Sequence, residues 1–159
     1  MFNILDLPVL SGRIGICPMP GRFSSYQTNF ASITDWRPQL VITVAQFFEM
    51  EKIGITSFPN DLRAEGVEWM YFPVADYGVP DHEQDRWTNI SNKAHKVLNE
   101  GGRVLCHCHG GCGRSGMVFL RLMCETGESA KGALERLRKV RPCAVETKSQ
   151  LVWAAGTNS

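Results

Sequence analysis

Apolar and polar positions fall along this chain in two recurring periods, one of strands and one of helices. Leu40–Val44 (LVITV) is an unbroken, β-branched run and reads as a fully buried strand. Arg13–Cys17 (RIGIC) and Val67–Pro73 (VEWMYFP) read as two more strands, the first ended by the turn Pro18-Met19-Pro20-Gly21. Val104-Leu105-Cys106 is a short buried strand. Helical spacing is clearest from Asp81 to Glu100, where Trp87, Ile90, Ala94, Val97 and Leu98 share a face that Gly101-Gly102 ends. A second stripe, Ala130, Ala133, Leu134, Leu137 and Val140, follows a Ser129 cap and stops at Arg141-Pro142. Met117–Cys124 is apolar except for Arg121 and is closed by Gly127. Shorter helices are expected at Phe47–Ile53, at Leu62–Glu65 behind an Asn60 or Asp61 cap, and at Glu146–Ala155. Ile33–Trp36 reads as a helical turn and Phe23–Asn29 as loop.

Strands alternating with helices predict one α/β domain over residues 1–159, with a central, mainly parallel sheet of four to five strands flanked by helices. Such sheets bind ligands at the C-terminal edges of their strands. The stretch Arg103–Gly127 places a short strand, a Gly-rich turn and a buried helix in immediate succession there.

That turn carries the candidate chemistry. Five residues, His109, Gly110, Gly111, Cys112 and Gly113, separate Cys108 from Arg114. So short a loop entering a helix leaves its backbone N–H groups facing one concavity at the positive end of the helix dipole. Glycine permits φ > 0 and a close approach by an oxyanion. Arg114 supplies a planar fork for two phosphoryl oxygens. A thiol at the base of this cup ionises easily, with the pKa lowered into the range of about 3.5–7.5 typical of activated cysteines. Cys108 is then an in-line nucleophile toward phosphorus, forming a phosphocysteine, and Ser115 is placed to assist the sulfur when it leaves.

Two aspartates precede the long helix. Asp81, with Gln84 three residues on, has the form of a capping box. Asp76 has no such duty and is the candidate general acid, later the base that activates water.

His107-Cys108, five residues, then Arg114-Ser115 resembles the signature of the cysteine-dependent protein tyrosine and dual-specificity phosphatases. With the RIGIC-PMPG opening, the layout looks most like the kinase-associated branch. The resemblance implies a phosphotyrosine-phosphatase-like fold, no cofactor and a phosphorylated protein substrate. The phrase PVADYGVPD resembles that family's acid loop, with the acid at Asp76. RPCAVETKSQ resembles the segment bearing a water-positioning glutamine, which falls at Gln150, although Cys143 stands where glycine is more usual.

Composition adds exclusions. Lys and Arg number 17 against 16 Asp and Glu, a net charge of +1, so no broad basic face for nucleic acid or anionic membrane is expected. No run approaches the roughly 18 apolar residues that span a bilayer, and the start, MFNILDLPVLSG, is a poor signal peptide. Six cysteines without a secretory signal favour a reduced, cytoplasmic protein.

Cys17, Cys106, Cys124 and Cys143 then read as small core residues. His107 reads as a buried hydrogen-bonding residue, and His82 and His95 as solvated surface. The basic run Arg136, Arg138, Lys139 and Arg141 reads as a wet helix end. Cys106, His107, Cys108, His109 and Cys112 also have the composition of a zinc cluster. Against that reading stand strand alternation and the charge of Arg114. A further expectation is that Cys112 or Cys106 protects an oxidised Cys108 as a disulfide. Two rival functions are a silent phosphate-binding scaffold and a phosphatase for phosphoinositides or other non-protein phosphates. The intact Cys108, Arg114 and Asp76 argue against the first, and the absence of lysine from the loop against the second.

Overall fold

The computed structural model describes residues 1–81 and 84–156. Five strands form one sheet in the order β1-β2-β5-β3-β4. They are β1 (Leu5–Val9), β2 (Gly12–Cys17), β3 (Leu40–Thr43), β4 (Glu68–Tyr71) and β5 (Arg103–His107). β5 lies between β2 and β3 and is parallel to both, and β4 is parallel to β3. Only β1 is antiparallel, joined to β2 as a hairpin. Sequence patterning missed β1 because Pro8 interrupts it. At a sheet edge, however, a missing N–H costs no ladder bond, and Leu7 and Val9 still alternate into the core.

Period-two alternation splits the core into two layers. Ile14, Ile16, Leu40, Ile42, Val104 and Cys106 face one cluster, while Cys17, Val41 and Leu105 face the other. The first layer is covered by α4 (Gln84–Asn99), α5 (Gly113–Glu125), α6 (Ala130–Val140) and α7 (Lys148–Ala155). The second is covered by α1 (Tyr26–Trp36), α2 (Phe47–Lys52) and α3 (Phe58–Ala64).

Several helices differ from the sequence pattern. α1 begins within the expected loop, where Ser25 accepts a hydrogen bond from the Thr28 N–H. Its buried positions are Asn29 and Ile33 only, so no apolar stripe announced it. α3 starts at Phe58, ahead of its expected cap, with Pro59 in the first turn, where no N–H is needed. α5 begins at Gly113 and so includes Arg114 and Ser115. α4 is described from Gln84; its expected start and the Asp81 capping box run through residues 82 and 83, and His82 likewise lies outside the described residues. α6 matches its stripe and its Ser129 cap.

His95 is not solvated surface. Its ring contacts Ser91 Oγ at 3.2 Å and the Leu122 carbonyl at 3.1 Å, helping Trp87 and Ser91, both bonded to Glu125, to fasten α4 to α5. The basic run is also mostly engaged. Arg136 binds Glu128 and the Pro8 carbonyl, while Arg138 binds the carbonyls of Ala144 and Val145.

Candidate active site

β5 delivers Cys108 to the C-terminal edge of the sheet, and α5 departs five residues later. The loop between them has its carbonyls turned outward. His109 O accepts from Met19 N at 3.1 Å and from Arg22 at 3.3 Å. Gly110 O and Gly111 O both accept from Arg141, at 2.9 and 2.8 Å. In a planar trans peptide the N–H points opposite to the C=O, so the amides of Gly110, Gly111 and Cys112 face inward. The Gly111 N–H meets Cys108 Sγ at 3.3 Å. Gly111 is the one loop glycine with positive φ (71°), and a Cβ there would lie 2.7 Å from the Cys17 carbonyl. No other residue type fits that position without moving β2.

Cys108 is 3% exposed and is held from behind by a relay of side chains. Trp69 Nε1 donates to Thr43 Oγ1 at 2.7 Å, and Thr43 Oγ1 meets His107 Nε2 at 2.7 Å. His107 Nδ1 lies 3.0 Å from the Cys108 carbonyl, which can only accept, so Nδ1 carries the proton and Nε2 accepts from Thr43. Burial holds His107 neutral, its pKa pushed down to about 4. It is thus the structural histidine that the sequence implied.

Arg114 is 1% exposed at the start of α5. Its two terminal nitrogens bind both oxygens of Glu49 at 2.8 and 2.9 Å, and Nη1 also donates to Val74 O at 2.9 Å. Asp76 Oδ1 lies 3.4 Å from Nη2. Burial opposes the charge on Glu49, but hydrogen bonds from Arg114 and from the Gln46 amide outweigh it and hold the carboxyl below the usual glutamate range. Burial likewise opposes the charge on Arg114, and Glu49 more than offsets it.

Glu49 is the residue that sequence reasoning missed. Its only local signal is a capping bond to the Gln46 N–H at 2.8 Å, a helix-start feature indistinguishable from many others.

Asp76, Tyr77, Cys108, His109, Gly113 and Glu146 line a cleft of about 260 Å³. A neighbouring hollow of about 290 Å³ shares Asp76 and His109 with it. Asp76 sits in a turn closed by Gly78 N to Ala75 O at 2.8 Å, and Tyr77 there has φ of 61°. Its carboxylate is more than half exposed. The turn is tied to α7, because Gln150 Nε2 donates to Gly78 O at 3.1 Å. Gln150 is fully buried, and its Oε1 accepts from the amides of Glu146 and Thr147. Both ends of that amide are therefore engaged within the protein. Ser115 Oγ is buried with no partner of hydrogen-bonding geometry, although the Cys106 thiol lies beside it. His109 Nδ1 is likewise buried without a partner.

The cysteines do not form the cluster a zinc ion would need. Cys106 is in the core, His107 is occupied by Thr43 and Cys108, and Cys112 is bonded to Cys143. Among the described residues no three His, Cys, Asp or Glu side chains converge as metal ligands. Cys143 is therefore not a core residue, because its position beside the loop gives it a partner that its sequence neighbours do not reveal. Cys112, expected to guard Cys108, is joined to Cys143 instead. No helix of the described residues is long and apolar enough to cross a membrane.

A protein-family profile described as "Polymorphic toxin system, DSP-PTPase phosphatase" matches residues 17–128. The bovine protein tyrosine phosphatase domain-containing protein 1 is 30% identical over 106 residues, 64% of this chain but only 13% of that protein. Mouse cyclin-dependent kinase inhibitor 3 is 27% identical over 144 residues, 86% of this chain and 67% of the relative. A crystal structure of kinase associated phosphatase, its catalytic-site cysteine replaced by serine, superposes with a TM-score of 0.85 at 23% identity. That match covers 96% of this chain and 92% of the other.

Proposed function

Because the chain belongs to the DSP-PTPase phosphatase family, within the protein tyrosine and dual-specificity superfamily, we propose that it hydrolyses phosphoproteins, at phosphotyrosine, phosphoserine or phosphothreonine, without a metal. The observation that carries this reading is the inward Gly111 N–H at 3.3 Å from Cys108 Sγ, in a loop whose His109, Gly110 and Gly111 carbonyls are held outward.

The geometry supports the following steps. The loop amides and the Arg114 fork hold the phosphoryl oxygens, and Cys108 Sγ attacks phosphorus in line. The bond from phosphorus to the substrate oxygen breaks as Asp76 gives that oxygen its proton. Asp76, now a carboxylate, takes a proton from water, whose oxygen attacks phosphorus. The sulfur–phosphorus bond breaks, inorganic phosphate forms, and the unpartnered Ser115 hydroxyl donates to the departing thiolate. Glu49 acts as a positioning residue that fixes the plane of the Arg114 fork. Gln150 positions the Asp76 turn through Gly78.

A panel of phosphotyrosine, phosphoserine and phosphothreonine peptides, with phosphoinositides beside them and EDTA present, tests the reading. Peptide hydrolysis that is abolished in Cys108→Ser supports it. Hydrolysis of phosphoinositides alone, or a requirement for added metal, would overturn it.

A further inference from the structure

The segment from Arg141 to Gln150 wraps the back of the phosphate loop. Arg138 holds the carbonyls of Ala144 and Val145 at 2.9 and 2.8 Å. Gly116 of α5 packs so closely beneath it that a Cβ would lie 2.7 Å from Val145 N. Arg141 reaches from this segment to the two carbonyls whose orientation matters most. Gripping Gly110 C=O fixes the direction of the Gly111 N–H, the amide aimed at Cys108. Gripping Gly111 C=O does the same for the Cys112 N–H.

Two residues beyond Arg141, the disulfide from Cys143 fastens the same segment to Cys112, the residue just before α5. The two cysteines are 31 apart in sequence with Cα atoms 5.2 Å apart, so the bond closes a long loop onto the cup. Both are partly exposed, in contrast to the buried thiols Cys17, Cys106 and Cys124. The Arg141 guanidinium also lies 3.4 Å from Cys112 Sγ. A positive charge beside one sulfur of a disulfide favours that sulfur as the leaving thiolate.

We propose that Cys112–Cys143 is a reversible thiol–disulfide site, reduced by dithiols, whose bonded form braces the phosphate loop for anion binding. A dithiol's thiolate attacks Cys143 Sγ, the S–S bond breaks, and its electron pair leaves on Cys112 Sγ. The second thiol of the reductant then attacks the mixed disulfide, releasing Cys143. The reductant becomes a cyclic disulfide, and the protein gains two electrons and two protons as two thiols. In the bonded form Arg141 is held against Gly110 and Gly111. In the dithiol form only hydrogen bonds and packing hold it, and the inward amides lose part of their preorganisation. Cys108 takes no part in this chemistry.

The proposal rests on the phosphate-binding reading of the loop, and its test is a binding measurement in Cys108→Ser protein, which removes the nucleophile's own redox chemistry. Inorganic phosphate is titrated calorimetrically before and after dithiothreitol, with thiol alkylation and peptide mapping of both samples. The bonded form should bind phosphate roughly 5- to 20-fold more tightly, the size of an ordinary coupling between sites. A further Cys143→Ala change should bind like the reduced form and ignore dithiothreitol, and circular dichroism checks that it folds. Equal phosphate affinity before and after reduction would overturn the proposal. So would alkylation of Cys112 and Cys143 without prior reduction, or no phosphate binding in either state. Redox-dependent phosphate binding in a protein whose wild type hydrolyses no phosphopeptide would sink the phosphatase reading and leave this one standing. Hydrolysis with redox-independent binding would do the reverse.

Discussion

Glu49→Gln is the most discriminating single change, because it alters charge with almost no change of shape at a residue that never touches phosphorus. In the wild type both Glu49 oxygens bind the Arg114 fork, at 2.8 and 2.9 Å, with side-chain exposures of 11% and 1%. Opposite charges about 4 Å apart attract by about 4 kcal/mol at an effective dielectric of about 20, much of it offset by desolvation. Removing one partner costs more than the pair is worth, about 3–5 kcal/mol, because the other charge stays buried. Glutamine keeps one acceptor, and Val74 O and Asp76 still face the guanidinium, so a stability loss of about 2–3 kcal/mol is expected. If the fork also loses its plane, one charge-assisted bond to the transition state weakens, worth about 1.5–3 kcal/mol, or roughly 10- to 150-fold in kcat/KM. Urea unfolding and steady-state hydrolysis of a phosphopeptide measure the two losses separately. Glu49→Asp, which keeps the charge, should recover part of each. A Glu49→Gln protein within threefold of wild-type kcat/KM and with unchanged urea midpoint would refute the positioning argument.

The remaining expectations are simpler. Asp76→Asn should lower kcat by about 10²–10⁴-fold while leaving inorganic phosphate inhibition nearly unchanged; an unaltered kcat would place the acid elsewhere. His107 is held neutral in the folded protein, with its pKa depressed to about 4 from 6.5. The unfolded chain therefore binds the extra proton first, so stability is full above about pH 6.5 and is lost as pH falls toward 4, by about 3 kcal/mol from this group. Denaturant midpoints from pH 7 to 4 should fall less steeply in His107→Asn, and parallel curves would contradict the assignment. Gly116→Ala forces a Cβ against Val145 N and should destabilise by about 1–3 kcal/mol, read as a lowered melting temperature. An unchanged melting temperature would mean that the segment over α5 yields freely.

The Gly-rich loop and the turn that carries Asp76 were legible because each has a local signature. Glycines between Cys108 and Arg114, and an aspartate freed from capping, depend on neighbours within a few residues. The same holds for Leu40–Val44 and for α6, where period and cap agree. What sequence could not disclose is what meets across the fold. Glu49 lies 65 residues from Arg114, and Cys143 lies 31 from Cys112, so neither pairing leaves a trace in local pattern. β1 was hidden by Pro8, which only an edge position tolerates. α1 was hidden by a polar buried face, where Asn29 accepts from Gly21 N and donates to Ser24 Oγ. The basic run was misread because three of its four side chains end on backbone carbonyls, those of Arg136 and Arg141 on distant segments and that of Arg138 on the loop after α6.

The floor of the cleft and its walls are built to different tolerances. Behind Cys108 the side chains of Trp69, Thr43 and His107 are joined in one relay, and Gly111 has no room for a methyl group. At the rim stand Phe48 and Tyr77, 58% and 62% exposed, on separate segments. Evolution can therefore exchange the rim residue by residue, trying new clients, while the reaction underneath stays fixed. Sequence drift in descendants of this chain should accumulate at those aromatic sites long before it reaches Thr43, His107 or Gly111.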